Sequence, residues 1–207
     1  MIMHEKFSEI LKGYAKFRDK YAHQDKSVLK YLSDHGQRPE IMVVSCCDSR
    51  VDPGLMLQCP PGKLFVVRNV ANIVPPCELD DMHHGTSAAL EFGVRFLGIK
   101  DLVILGHSQC GGIEVLMENH AKGHNHFISN WVSIAQESTL DAKDVDDCAR
   151  LSLKKSYQNC LTFPWIKDRV ESDDLTIHLW FFDIKSGQIF SYSASDDKYH
   201  PLEVPRA

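Results

Sequence analysis

Ile41-Met42-Val43-Val44-Ser45-Cys46-Cys47-Asp48-Ser49-Arg50 and Leu102-Val103-Ile104-Leu105-Gly106-His107-Ser108-Gln109-Cys110-Gly111-Gly112 decide how this chain folds. Each opens with a short run of branched apolar residues lacking the polar alternation of a half-exposed strand. Such runs read as strands buried on both faces of a parallel sheet. Each closes on Cys, Asp or His. In open α/β sheets, ligands bind in the crevice beyond the carboxyl ends of the strands. Two thiols, an imidazole and a carboxylate delivered there form a soft donor set suited to zinc.

Outward from these segments the chain alternates helix and strand. Phe7, Ile10, Leu11, Tyr14 and Phe17 recur at helical spacing and predict an N-terminal amphipathic helix. A polar stretch from His23 leads to a second helix through Leu32. Pro60-Pro61-Gly62 is a turn before a strand over Leu64–Arg68. A loop with Pro75-Pro76 precedes a helix over Thr86–Leu97, with Ala89, Leu90, Phe92, Gly93, Phe96 and Leu97 facing inward. Gly111-Gly112 opens a helix through Met117. The stretch 128–170 reads as mainly helical, with Pro164 starting a new segment, and Leu175–Ile184 and Gln188–Ser193 form a hairpin around Lys185-Ser186-Gly187. The expected fold is α/β: a mainly parallel four-stranded sheet with an antiparallel edge strand, flanked by helices. We expect a single domain over 1–207, divided into a helical arm (1–35), a site-bearing core (40–120), and a helical segment with terminal strands (121–207).

With 207 residues, 43% of them hydrophobic, the chain buries a full core. Its formal net charge of -5 offers no basic field for nucleic acid or anionic lipid. No apolar run approaches the roughly 20 residues needed to span a bilayer. The opening Met1-Ile2-Met3-His4-Glu5-Lys6-Phe7 lacks the apolar stretch of a secretion signal. Seven cysteines, an odd number, read as reduced thiols. The expectation is a cytoplasmic protein with no nucleic-acid or membrane partner.

Position separates the candidate ligands from the remaining cysteines and histidines. His107 and Cys110 lie three apart on a turn into a helix, and Cys46 and Asp48 lie two apart on an extended segment, so each pair can face one point. Cys47, Cys59, Cys77, Cys148 and Cys160 read as small buried hydrophobes. His83-His84 and the His120, His124, His126 group read as solvated surface residues. Asp48-Ser49-Arg50 alone fits a capped turn with a surface ion pair. Beside a metal, the same pair has an orienting task. Gly111-Gly112 permits a tight turn and leaves helix amides exposed near the metal.

These residues resemble the β-class carbonic anhydrases, whose signature is Cys-x-Asp-Ser-Arg followed by His-x-x-Cys. Here the signature falls on Cys46, Asp48 and Arg50, then on His107 and Cys110. The similarity includes Phe65-Val66-Val67-Arg68-Asn69-Val70-Ala71-Asn72 and Ser87-Ala88-Ala89-Leu90-Glu91-Phe92, and covers most of 30–120. Beyond 120 it is loose, carried by Asn130-Trp131 and the terminal strands.

The resemblance implies reversible hydration of carbon dioxide to bicarbonate and a proton. Zinc held by Cys46, His107 and Cys110 keeps a fourth position for water, so that zinc-bound hydroxide attacks the carbon. Asp48 accepts the hydroxide's hydrogen bond and orients its lone pair, while Arg50 holds that carboxylate off the metal in a bidentate pair. By position against the family, Gln37 donates to a substrate oxygen and Phe65 helps form an apolar slot. Phe92, Gly111 and Gly112 join them as substrate-side residues. Phe92 stands where many plant-like members have tyrosine. The family's cleft lies at a dimer interface and its N-terminal helix packs on a partner subunit. The expectation is therefore a homodimer or higher homo-oligomer, in which Gln37 and Phe65 can serve the neighbouring zinc. One branch of the family anchors an inhibitory bicarbonate with tryptophan, arginine and tyrosine. Val43, Arg68 and Phe92 hold those positions here, so the open site is expected near neutral pH, with Asp48 becoming a zinc ligand only if the site closes. Two alternatives keep the same ligands: a related hydrolase of carbon disulfide or carbonyl sulfide, and a non-catalytic structural zinc protein with Asp48 as permanent fourth ligand.

Overall fold

The structure, a computed structural model, describes residues 5–23, 27–80, 82–118 and 127–203. The chain divides into two compact units: Met1–Arg38 with Pro60–Lys63, and Pro39–Cys59 with Leu64–Ala207. The first holds α1 (Glu5–Tyr21) and α2 (Val28–His35). Ser27 caps α2, its side chain accepting from the Lys30 amide, and Gly36 ends it with φ 75°. The stripe expected on α1 is present as a surface: Phe7, Ile10, Leu11, Tyr14 and Phe17 are all exposed.

The second unit carries β1 (Ile41–Cys46), α3 (Pro53–Met56), β2 (Leu64–Asn69), α4 (Gly85–Glu91), β3 (Asp101–His107), α5 (Gly111–Glu118) and α6 (Phe127–Val132). It continues with α7 (Val145–Cys160), α8 (Pro164–Glu171), β4 (Thr176–Asp183), β5 (Gln188–Ser193) and β6 (Lys198–Pro201). Six strands form one sheet in the order β2-β1-β3-β4-β5-β6. The first four in that order are mutually parallel, and β5 and β6 are antiparallel additions. This is the expected α/β sheet, extended by one strand. Lys198-Tyr199-His200-Pro201 offers no apolar alternation that would reveal β6. It is held by pairing with β5 and by Tyr199, whose ring packs on Tyr192 with centroids 5.4 Å apart and whose hydroxyl donates to the Arg150 carbonyl.

Alternation along the strands divides the core between the two faces. Met42, Val44, Leu102, Ile104, Leu179 and Phe181 join the large cluster with residues of α4, α5, α7 and α8. Val43, Val103 and Leu105 form a small cluster with Val51, flanked by Met56 of α3, Trp180 and Phe182. The helix expected over Thr86–Leu97 is α4 followed by a π-helical stretch, Phe92–Leu97, closed by Gly98 at φ 68°. The buried stripe runs through Leu90, Gly93 and Val94, with Leu97 half-buried. Phe92 and Phe96, expected to face inward, are instead 43% and 71% exposed. Gly93 permits the close approach, since a Cβ there would lie 2.7 Å from the Met42 sulfur.

Candidate metal centre

Strands β1 and β3 are adjacent and parallel, so their carboxyl ends bring Cys46 and His107 to the same edge of the sheet. The turn after β3 leads Cys110 back as the chain enters α5. Gly112 makes this possible: a Cβ there would lie 2.6 Å from Val70 Cγ1 and 3.0 Å from Ala71 Cβ, in the 3₁₀ turn that follows β2. Nothing lies within 4 Å of a Cβ built on Gly111. Cys46, His107 and Cys110 are buried, and their ligand atoms all lie within 4.8 Å of one another.

Three observations fit this triad to a tetrahedral cation. The sulfurs of Cys46 and Cys110 are 3.9 Å apart. Two thiolates on a tetrahedral zinc, each at about 2.3 Å, would stand about 3.8 Å apart. His107 Nδ1 donates to the Ser108 carbonyl at 2.8 Å, which fixes the tautomer and leaves the Nε2 lone pair free. That Nε2 is buried and has no hydrogen-bond partner among the described residues, an omission that burial makes costly unless a ligand fills it. The third observation is the state of the thiols. Hydrogen bonding from Cys110, opposed by burial and helped by His107 and the amides of Asp48 and Ala71, draws the Cys46 thiol below the usual thiol range. The same hydrogen bond to Cys46, with burial and the charge on Cys46, pushes the Cys110 thiol upward. A dication bound between two such close, buried sulfurs would favour both as thiolates.

Past β1 the Cys47 amide still donates to the Asn69 carbonyl at 2.9 Å, and a turn begins at Asp48, whose carbonyl accepts from the Val51 amide at 3.0 Å. Asp48 still faces the centre, with Oδ2 4.0 Å from His107 Nε2. Its two carboxylate oxygens accept from Arg50 Nε at 3.0 Å and Nη2 at 2.8 Å, and Oδ1 also takes the Arg50 amide at 2.9 Å. These bonds hold the Asp48 carboxyl well below the usual carboxylate range. Arg50 Nη2 also reaches the Gln109 carbonyl at 3.1 Å, joining the two ligand loops. Arg68 fixes the first loop. It donates to the carbonyls of Cys46 (3.1 Å), Asp48 (2.8 Å) and Val51 (2.9 Å), and pairs with Asp52 at 3.1 Å. Its planar fork is thus committed to backbone, a use that no residue spacing announces.

The structure does not gather every residue expected at the site. Phe65 pairs in register with Met42, four residues before Cys46, or about 13 Å away along the strand. Phe92 packs on Phe65, centroids 5.8 Å apart, and stacks on Phe96 at the same distance. Val43 is fully buried in the small cluster. Gln37 is exposed and belongs to the first unit. Among the other cysteines, Cys148 and Cys160 are buried and Cys59 and Cys77 half-buried, but Cys47 is exposed. Adjacent strand residues point to opposite sides, so burying Cys46 turns Cys47 outward. His83 is exposed, while His84 is half-buried and pairs with Asp80 at 2.6 Å. His120, His124 and His126 lie outside the described residues.

The fold and site define an α/β protein in which two thiols and one imidazole, a group that could hold a metal ion, converge at the carboxyl ends of parallel strands. The carbonic anhydrase family model matches residues 41–189, and the chain belongs to that family, in its β class. Beta carbonic anhydrase 6, mitochondrial, from Arabidopsis thaliana is 34% identical over 174 residues, covering 78% of this chain and 59% of the relative. The chain thus spans less than two thirds of that plant protein's length. The solved β-carbonic anhydrase CcaA matches with a TM-score of 0.85 at 28% identity, covering 96% of this chain and 100% of that one. One of two tetrameric β-carbonic anhydrases from Sordaria macrospora matches with a TM-score of 0.78 at 28% identity, over 91% and 97% of the two chains.

Proposed function

We propose that this chain catalyses the reversible hydration of carbon dioxide to bicarbonate and a proton, with zinc held by Cys46, His107 and Cys110. The observation that carries the reading is the bidentate Asp48–Arg50 pair, 4.0 Å from the unpartnered Nε2 of His107. Zinc in that triad would supply a Lewis acid that brings a water's ionisation toward neutral pH, an effect for which carbonic anhydrase is itself the standard example. Asp48, kept ionised by Arg50, is an acceptor only. It takes the hydrogen bond of the attacking oxygen and leaves that oxygen's lone pair directed at the carbon of the substrate. Arg50, clamped between Asp48 and the Gln109 carbonyl, keeps the carboxylate from rotating toward the triad. A purely structural zinc site would recruit Asp48 as a fourth ligand and leave Arg50 without this task.

The substrate-side residues of this reading are Gln37, Phe65, Phe92, Gly111 and Gly112. About 13 Å separates Phe65 from its own Cys46 along the strand, which supports a cleft completed by a second copy and hence a homodimer or higher homo-oligomer. The exposed stripe on α1 and the tetrameric state of the Sordaria enzymes support the same assembly. All seven cysteines are free, in keeping with a cytoplasmic setting; no described helix is long and apolar enough to cross a membrane. The test is a stopped-flow assay of zinc-loaded protein against carbon dioxide, carbonyl sulfide and carbon disulfide. Hydration of carbon dioxide supports the reading, and turnover of the sulfur compounds alone would replace it.

A further inference from the structure

The turn between His107 and Cys110 is strained, and charged side chains hold it from both sides. Gln109 adopts φ +55°, a left-handed conformation that a residue with a Cβ keeps only where its surroundings over-determine it. The residue before it is anchored by β4, since the Ser108 amide donates to the Phe182 carbonyl at 2.9 Å. At Gln109 itself the amide donates to Asp146 Oδ1 at 2.7 Å, and the carbonyl accepts from Arg50 at 3.1 Å. Asp146 lies 37 residues further along the chain, in the first turn of α7.

We propose that Asp146 is a positioning residue of the metal centre. Its carboxylate locks the left-handed turn at Gln109, which keeps His107 and Cys110 converged on one point and presents the Gln109 carbonyl to Arg50. The plainer use of Asp146 is to place negative charge at the start of α7. That end is already served by Asp144, whose side chain accepts from the Asp147 amide at 2.8 Å, and by Asp147 in the same turn. The Gln109 contact has no such duplicate among the described residues.

The inference rests on the proposed metal site and is tested by zinc affinity, measured by chelator competition on the folded full chain. Wild type, Asp146→Ala, Gln109→Gly and the double variant form a cycle. Removing the carboxylate is expected to weaken zinc about 10-fold, the lower end for groups that orient ligands from behind. In the Gln109→Gly background the same removal should weaken zinc less than about 3-fold, because glycine takes positive φ without strain. A role confined to α7 would not be rescued by a change at position 109. An equal 10-fold loss in both backgrounds, or unchanged affinity in Asp146→Ala, overturns the proposal. Should Asp146→Ala fail to fold, Asp146→Asn decides, since its amide oxygen still accepts from Gln109. Affinity within about 3-fold of wild type supports the account, and a 10-fold loss in that variant overturns it. If wild type itself holds no zinc, the metal-site reading falls and this proposal with it; if wild type binds zinc and the cycle shows no coupling, only the Asp146 role falls.

Discussion

The ligand loops after β1 and β3 and the aromatic patch of Phe65, Phe92 and Phe96 lie in the same unit and are built in opposite ways. In the loops, polar groups find partners within the chain: Arg50 on Asp48 and Gln109, Arg68 on three carbonyls, Asp146 on the Gln109 amide. The patch exposes 43% of Phe92 and 71% of Phe96. Hydrogen-bonded networks pre-organise a charged site, whereas exposed apolar rings of this size mark surfaces that another body covers. Cys46, His107 and Cys110 all come from one chain, so the candidate metal ligands need no partner copy to converge. In the proposed reading, the apolar side of the cleft is completed by a second copy.

The largest effect should follow from breaking the first region at its ligands. Cys110→Ser and His107→Ala should each fall from one zinc per chain to below about a tenth by elemental analysis, because all three donors form the site. Cys47→Ser should keep its metal, as that side chain is exposed on the other side of the strand. Full occupancy in either ligand variant would dissolve the distinction between the two regions. A smaller, different effect is expected from the patch. Phe65→Ala should leave zinc content unchanged and lower carbon dioxide turnover about 10-fold, the scale of a lost apolar contact. Loss of zinc from this variant would show that the two regions are not independent. Light scattering at micromolar concentration should show at least a dimer, and an active monomer would contradict the shared cleft.

The smallest effect concerns the clamp on Asp48. Arg50 depresses the Asp48 pKa, so the pair stabilises the folded chain above the ordinary carboxylate pKa of about 3.9. That contribution disappears as acid protonates Asp48. The pair is partly solvated, with 45% of the Arg50 side chain exposed. Arg50→Ala should therefore lower Tm by less than about 3 °C at pH 7, and the gap should close as pH falls below 4. A gap that widens in acid would show that Asp48 is not ionised in the fold.

How far a residue's task is legible in the sequence follows from how that residue acts. Cys46, His107 and Cys110 act through side chains whose chemistry is specific to their type, and each sits where a buried strand ends. Asp48 and Arg50 are two residues apart, so their pairing is local. Asp146 and Arg68 act on backbone amides and carbonyls of distant segments, and a backbone partner leaves no mark in residue type. The Ser108 carbonyl that fixes the His107 tautomer is hidden for the same reason. Phe92 and Phe96 are expected inward because they are large and apolar, but the buried face runs through Leu90, Gly93 and Val94 at helical spacing, which leaves both rings outside it. Strand β6 escapes a reading of composition because pairing with β5 determines it more than its own residues do.

The central claim is that the Asp48–Arg50 pair turns a buried three-ligand zinc site into a hydrating enzyme. Stopped-flow hydration of carbon dioxide by zinc-loaded wild type and Asp48→Asn, with zinc measured on the same samples, tests it most directly. Asparagine can donate as well as accept, so the orienting bond is no longer defined. Equal zinc in both proteins, with turnover in Asp48→Asn reduced about 100-fold, is the predicted result. Zinc-loaded wild type without hydration activity, or Asp48→Asn as active as wild type, would contradict the account.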